Sequence, residues 1–411
     1  MSQLTDPPLS GTAPDLSDPH RYTADGIEDV WRRLRAEQPL FLTRRSPGRD
    51  FWSVLSHDLA TQVLKDPAVF SSTGGMRLDA DPVANEAAAG KMLIVTDPPR
   101  HGGVRRIINS AFTPRMVRRL TDNIRITAVG VIEAALEQGD VDLTQVAARL
   151  PVSVISDMLG VPREDWDRML ELTMIAFGAD EGAGADPQRI AEAHTELLVY
   201  YDQLLSKRRA DPQDDIVSAL AHGTVDGGPL TDEEVLLNCN GLISGGNETT
   251  RHTTVGGLLA FVREPSQWDR LIADPELLPT AVQEILRFTS PALHVLRTAR
   301  RPVTLGGRQI SPGDQLAVWL AAANRDEAVF ADPDRFDIAR TPNRHLAFAT
   351  GTHFCLGSAL AGSELTIFFE EFVSRVAEVR LRGEPRRMAS NLIWGHTSAP
   401  VTLTRRARGK T

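Results

Sequence analysis

Four short runs of residues have the types and spacing to do chemistry. The first is Phe348-Ala349-Thr350-Gly351-Thr352-His353-Phe354-Cys355-Leu356-Gly357. It sets a cysteine between two glycines, just ahead of a stretch of helical periodicity from Leu356 to Val373. Glycines there permit a tight turn whose backbone can lie close to a flat ligand. A sulfur at a helix start has unpaired N–H groups and the helix dipole nearby, and both favour thiolate over thiol. The chain has only two cysteines, Cys239 and Cys355, which excludes a disulfide framework. A thiol in such a setting is structural, metal-binding or catalytic. Zinc fits poorly, because four N or S ligands are usual and no second CxxC or HxxxH lies near.

The second run is Gly245-Gly246-Asn247-Glu248-Thr249-Thr250, an acid next to an alcohol after two glycines. The third, Glu284-Ile-Leu-Arg287, places opposite charges three apart on one helical face, a spacing that supports an ion pair. The fourth, His101-Gly-Gly-Val-Arg105, offers two cation-capable donors on adjacent turns of a helix. Each has a bland reading when taken alone: a kinked helix, a solvated pair, a basic surface helix.

The elements that must position these residues are mostly helical. The 42% hydrophobic and 24% charged fractions support a large buried core. From Pro99 to about Leu220 the apolar spacing is helical, punctuated by Pro114, Pro151, Pro162 and Pro187. Thr231-Asp-Glu-Glu234 forms a capping box that opens a helix running to Arg263, where Pro265 stops it. That helix spans roughly 45–50 Å. Gly245 and Gly246 sit in its middle, each costing about 1 kcal/mol relative to Ala, so a neighbour must need the space. Cys239, on the same helix, reads as packing. After a further helix ending near Arg287 come strands at Val303–Leu305, Arg308–Ile310 and Leu316–Leu320, the first two joined by a Gly306-Gly307 hairpin turn. Residues Ser71 to Gly90 read as a long exposed loop. The reading is a mobile tail over residues 1–17 and a single domain over 18–411.

Some functions are excluded. A net charge of −9 disfavours nucleic acid as partner. No stretch approaches the roughly 18 apolar residues of a membrane span, and the first twenty residues lack a signal peptide's basic start and apolar core. A cytoplasmic location is expected.

In these four runs and their order the sequence resembles the cytochrome P-450 superfamily, over nearly the whole chain. Phe348, Gly351, His353, Cys355 and Gly357 match its haem-binding signature, with two departures: Ala349 stands for the usual Gly and Gly362 for the Arg usual in bacterial members. The resemblance implies a mainly α fold with a smaller β region, the haem lying between the long central helix and the cysteine-ligand helix. It implies haem b with Cys355 as axial ligand, a thiolate whose electron donation favours O–O cleavage. His101, Arg105, Arg297 and His353 become the expected propionate binders, with Phe348, Gly351 and Gly357 around the haem. Gly245 and Gly246 would leave room for dioxygen at a bend in the helix, and Glu248 with Thr249 would relay protons. Glu284 and Arg287 become a buried structural pair, completed by Arg335 in preference to Arg340.

By the same resemblance a small, largely apolar substrate would meet Met92, Leu93, Asn240, Leu242, Ser244, Leu293, His294, Val295 and Trp394. Electrons would come from NAD(P)H through a ferredoxin and its reductase or a flavodoxin-type donor, docking on the basic stretch Arg105, Arg106, Arg115, Arg118 and Arg119. The reaction expected is hydroxylation or epoxidation. Ring coupling, desaturation or peroxide-driven chemistry is the alternative, and a non-enzymatic recruitment module ranks last.

Overall fold

The computed structural model describes residues 14–45, 48–176 and 187–407. Of the tail expected over 1–17, residues 1–13 lie outside the described residues. The expectation of a tail reaching Ser17 is corrected: Leu16 is fully buried and its carbonyl accepts the Tyr22 hydroxyl at 2.7 Å.

Helices dominate and one organises the rest. The helix expected from Thr231 occupies Asp232–Arg263, and its capping box forms in both directions. Thr231 Oγ1 accepts the Glu234 N–H at 3.2 Å, and the Glu234 carboxylate accepts the Thr231 N–H at 2.8 Å. This central helix lies against helix Leu143–Leu159 and is flanked by Pro187–Ala210, Leu278–Thr289 and Ser358–Arg375. Val255, Leu258, Leu259 and Phe261 anchor it in the largest apolar core. Cys239 is fully buried there, and burial pushes its thiol up to about 12, as suits packing rather than reactivity.

The β region is smaller. A five-stranded sheet takes the order Leu40–Thr43, Phe51–Val54, Gln315–Trp319, His294–Ala299, Phe70–Ser71. Side chains alternate across a strand, so Leu316 and Val318 enter one apolar cluster while Ala317 and Trp319 enter another. Strand His294–Ala299 pairs antiparallel with Gln315–Trp319, placing Arg297 opposite Leu316. The Gly306-Gly307 hairpin forms with φ of 53° and 77°, the left-handed backbone that a two-residue turn of this kind demands. The stretch expected as one long loop contains a short helix, Pro82–Ala88, which Asp81 caps through the N–H groups of Val83 and Ala84. Its residues are not buried.

Candidate functional site

Cys355 lies between a single 3₁₀ turn, Gly351–His353, and helix Ser358–Arg375. The loop is shaped by its own backbone. Cys355 N–H donates to the Phe348 carbonyl at 3.0 Å, Phe354 N–H to Gly351 at 3.0 Å, and Ala349 N–H to Leu346 at 2.8 Å. Gly351 has φ of 75°, and a Cβ on it would stand 2.4 Å from the Leu64 carbonyl at the end of helix His57–Lys65. Only glycine fits there. Ala349, at φ 54°, holds a left-handed conformation against its preference. Gly357 has open space around its missing side chain.

The expected helix-start effect on the thiol is present, and burial opposes it. Gly357 is the residue before the helix, so it is the Gly357 N–H, with the Arg105 charge, that lowers the Cys355 pKa; burial outweighs both and leaves it raised. A cation on the sulfur reverses that balance, because a coordinating thiol is deprotonated by its metal.

Beside this loop four cation-capable side chains converge. His101 comes from helix Arg100–Ser110, Arg297 from the sheet, His353 from the ligand loop, and the two imidazole centroids are 4.3 Å apart. Arg105 reaches the Thr352 carbonyl at 3.5 Å. Burial, then the Arg105 charge, lowers the His101 pKa, and burial with Arg297 and His101 pushes His353 down to about 3. Burial brings Arg297 down to about 10, its guanidinium donating to the Leu296 carbonyl at 2.7 Å. The nearest carboxylate, Asp97, is engaged elsewhere by the Ser71 hydroxyl, the Ser72 N–H and Arg300. Burying such donors without an anion is costly. A thiol ligand beside a cation cluster short of carboxylates is a donor set that fits haem with its two propionates. Ser72 also joins it, its hydroxyl 3.1 Å from His353 Nε2. Sequence reasoning missed Ser72 and Asp97; the signal was Asp97 directly ahead of Pro98-Pro99-Arg100 and His101.

On the central helix Gly245 is exposed, and among the described residues nothing outside its own stretch of helix lies within 4 Å of where its Cβ would stand, whereas a Cβ on Gly246 would stand 3.2 Å from Ile155. Gly245 therefore opens the space and Gly246 allows the neighbouring helix to approach. The helix runs unbroken through both. Thr249 Oγ1 donates to the Gly245 carbonyl at 3.0 Å. Glu248 is buried and faces elsewhere, its Oε2 accepting from Arg251 at 2.5 Å and lying 3.2 Å from His252 Nε2. The acid and the alcohol thus point to different sides.

Six of the nine expected substrate contacts, Met92, Leu93, Asn240, Leu242, Ser244 and Val295, are partly exposed. Asn238, not singled out from the sequence, ties the first two to the central helix: its amide accepts the Leu93 N–H and donates to the Lys91 carbonyl, both at 2.9 Å. The Met92 terminal carbon comes within 2.5 Å of where a Cβ on Gly241 would stand. Asn240 Oδ1 is buried and has no partner among the described residues. The other three are corrected. Leu293 and Trp394 pack in the cluster with Trp31 and Trp319, Trp394 edge-on to Trp31 with Arg325 over its face. His294 is buried beside Trp319, its Nε2 accepting the Leu78 N–H at 3.0 Å and its Nδ1 donating to the Asn391 carbonyl at 2.9 Å. Side-chain alternation along the strand turns Leu296 with it and leaves Val295 and Arg297 on the opposite face.

The arginine completing the Glu284–Arg287 pair is Arg340, not Arg335. Arg287 forms a fork on Glu284 with both bonds at 2.8 Å, and Arg340 Nε adds two more at 3.1 Å. The turn closed by Arg335 N–H on the Asp332 carbonyl leaves the Arg335 side chain exposed and brings its carbonyl to Arg340.

Comparison with known proteins agrees with this geometry. The family model described as Cytochrome P450 matches residues 152–386. Cytochrome P450 NovI of Streptomyces niveus is 37% identical over 95% of the chain and 96% of its own length. Linalool 8-monooxygenase of Pseudomonas putida is 36% identical, over 95% and 98%. Among solved structures, P450 OxyD, described as involved in the biosynthesis of vancomycin-type antibiotics, superposes with a TM-score of 0.88 at 38% identity, covering 95% of this chain and all of that one.

Proposed function

The chain belongs to the cytochrome P450 family and is a monooxygenase of that family, and from that premise we propose that it inserts one oxygen atom into a C–H or C=C bond of a small, largely apolar metabolite of terpenoid or antibiotic-precursor type. The observation that carries this reading is the donor set around Cys355: one thiol beside four cation-capable groups, whose neighbouring carboxylate, Asp97, is bonded to Ser71, Ser72 and Arg300 instead. When bound, haem supplies dioxygen activation at its iron, and thiolate ligation assists O–O cleavage.

The chain's own residues have separable tasks. Cys355 would hold the iron, and Arg297, Arg105, His101 and His353 would hold the propionates through charge-assisted hydrogen bonds. Thr249, tethered to the Gly245 carbonyl, would present its hydroxyl to the open strip. Met92, Leu93, Leu242 and Val295 would bind by apolar burial, while Asn240 would supply one directional contact. The relatives lend support to the substrate class, since one is named for linalool and another is described as acting in antibiotic biosynthesis.

Electrons would come from NAD(P)H through a ferredoxin or flavodoxin-type donor on the basic face of Arg105, Arg106, Arg115 and Arg118. Arg119 is less available, being paired with Asp157 at 3.3 Å. Among the described residues no helix is long and apolar enough to cross a membrane.

The test is the carbon monoxide difference spectrum of the reduced protein, wild type against Cys355→Ser, followed by a spin-state screen that starts from linalool. A thiolate signature lost in the variant is expected. A wild type without it overturns the reading. Reduction by the donor should slow as salt rises.

A further inference from the structure

Glu248 is held by two neighbours on its own helix, and one of them is gripped from outside. Arg251 and His252 follow Glu248 at i+3 and i+4, so all three share a face and all are at most 3% exposed. Arg251's other contacts are weak: Nη1 meets the thioether of Met174 at 2.8 Å and Nε has no partner among the described residues. Its charge therefore rests on Glu248.

Each ring nitrogen of His252 faces a donor, and the carboxylate beside Nε2 favours the proton there. The main-chain N–H of His396 points at His252 Nδ1 at 3.4 Å, and an N–H can only donate. With the lone pair on Nδ1, Nε2 of the neutral ring carries the proton and donates it to Glu248 Oε2, 3.2 Å away. Arg251 Nη2 donates to the same Glu248 oxygen at 2.5 Å and also lies 3.1 Å from His252 Nε2, so it competes with the carboxylate for that nitrogen. In this tautomer both nitrogens are committed. The ring then holds the carboxylate.

What touches His252 from outside is the C-terminal turn. A Cβ on Gly395 would stand 2.5–2.6 Å from Cγ, Nδ1 and Cε1 of the ring, so the main chain lies flat on the imidazole. The other end of that turn is strung to the segment leading into the strand of Val295 and Arg297. Leu293 N–H donates to the Leu392 carbonyl at 2.9 Å, Trp394 N–H to Pro291 at 2.7 Å, and Ala292 bridges Ile393.

We propose that His252 is a positioning residue that keeps the Glu248 carboxylate turned away from Thr249, and that the turn Ile393–His396, by resting on His252, couples the wall of the substrate pocket to that hold. For Glu248 to serve Thr249 its side chain must rotate off Arg251 and His252. A movement of the turn that lengthens the already long His396–His252 bond loosens one of the two. This rests on the reading of Glu248 and Thr249 as the proton-handling pair.

The wild-type holoenzyme tests the first half without any variant. In the reduced, carbon monoxide-bound protein labelled with ¹⁵N-histidine, His252 should show an unprotonated Nδ1 and a protonated Nε2; the opposite tautomer overturns the proposal. For the coupling, the infrared stretch of the bound carbon monoxide reports polar groups near it. His252→Phe and Gly395→Ala should both shift that band, His252→Gln should shift it less, and adding Glu248→Gln to His252→Phe should cancel the shift. A band unmoved in both His252→Phe and Gly395→Ala, or a shift that survives Glu248→Gln, overturns it. A wild type lacking the thiolate signature defeats the reading of the site instead, so the two failures are distinguishable.

Discussion

Arg340 places its Nε 3.1 Å from both carboxylate oxygens of Glu284, closing a cage that Arg287, the Asn343 amide and the Asp337 N–H already form. Glu284 and Arg287 are fully buried and the Arg340 side chain is nearly so. Removing one member of such a network leaves a charge without its partner, at a cost of about 3–5 kcal/mol. Arg340→Ala should therefore lower the denaturation midpoint sharply. Arg335→Ala, at an exposed side chain, should stay within about 0.5 kcal/mol of wild type. Urea unfolding of the two variants decides between them, and equal losses would refute the assignment.

Arg297 should separate haem retention from stability. The Arg297 guanidinium is buried and, among the described residues, bonds a carbonyl and no carboxylate, so Arg297→Met should stabilise the haem-free protein. With haem present the same change removes a charged hydrogen bond worth about 1.5–3 kcal/mol. Haem transfer to apomyoglobin should accelerate by roughly ten- to a hundredfold, while the melting temperature of the haem-free protein rises.

His294 is a structural bridge, not a substrate anchor. His294→Ala leaves the Leu78 N–H and the Asn391 carbonyl without a partner and should cost about 1–3 kcal/mol, with the substrate-induced spin shift retained. Burial pushes the His294 pKa down to about 4. The unfolded chain, with an ordinary histidine value of about 6.5, takes up the proton first as pH falls. The stability from keeping this ring neutral is thus complete above about 6.5 and is lost as pH falls to about 4. Stability curves of wild type and variant should converge over that interval, as measured by thermal melting between neutral and acid pH.

The ligand loop holds one avoidable strain and one unavoidable glycine. Ala349→Gly relieves a left-handed alanine and should stabilise by up to about 1 kcal/mol, the relief being partly offset by the entropy of a glycine in the unfolded chain. Gly351→Ala drives a methyl into the Leu64 carbonyl and should displace the loop. Differential scanning calorimetry should show opposite signs for the two, and the thiolate signature should weaken only in the second.

Features carried by local chemistry were legible in the residues alone. The capping box at Thr231, the Gly306-Gly307 turn, the Cys355 loop and the i,i+3 pairing of Glu284 with Arg287 depend on spacing within a few residues, and each formed where its spacing put it. Folding around them decided the rest. Arg335 and Arg340 stand only five residues apart, and the turn at Asp332 chose between them. His294 and Val295 are adjacent, but strand alternation sends them to opposite faces, and Trp31, Trp319 and Trp394 fill the face that His294 joins. Glu248 and Thr249 are neighbours in sequence, yet a helix turns by about 100° per residue, so one joins Arg251 and His252 while the other faces the open strip. Sequence determined which groups could react. Tertiary packing determined which way Arg340 and His294 point, because their direction depends on partners tens to hundreds of residues away, whereas Glu248 is turned by partners three and four residues on.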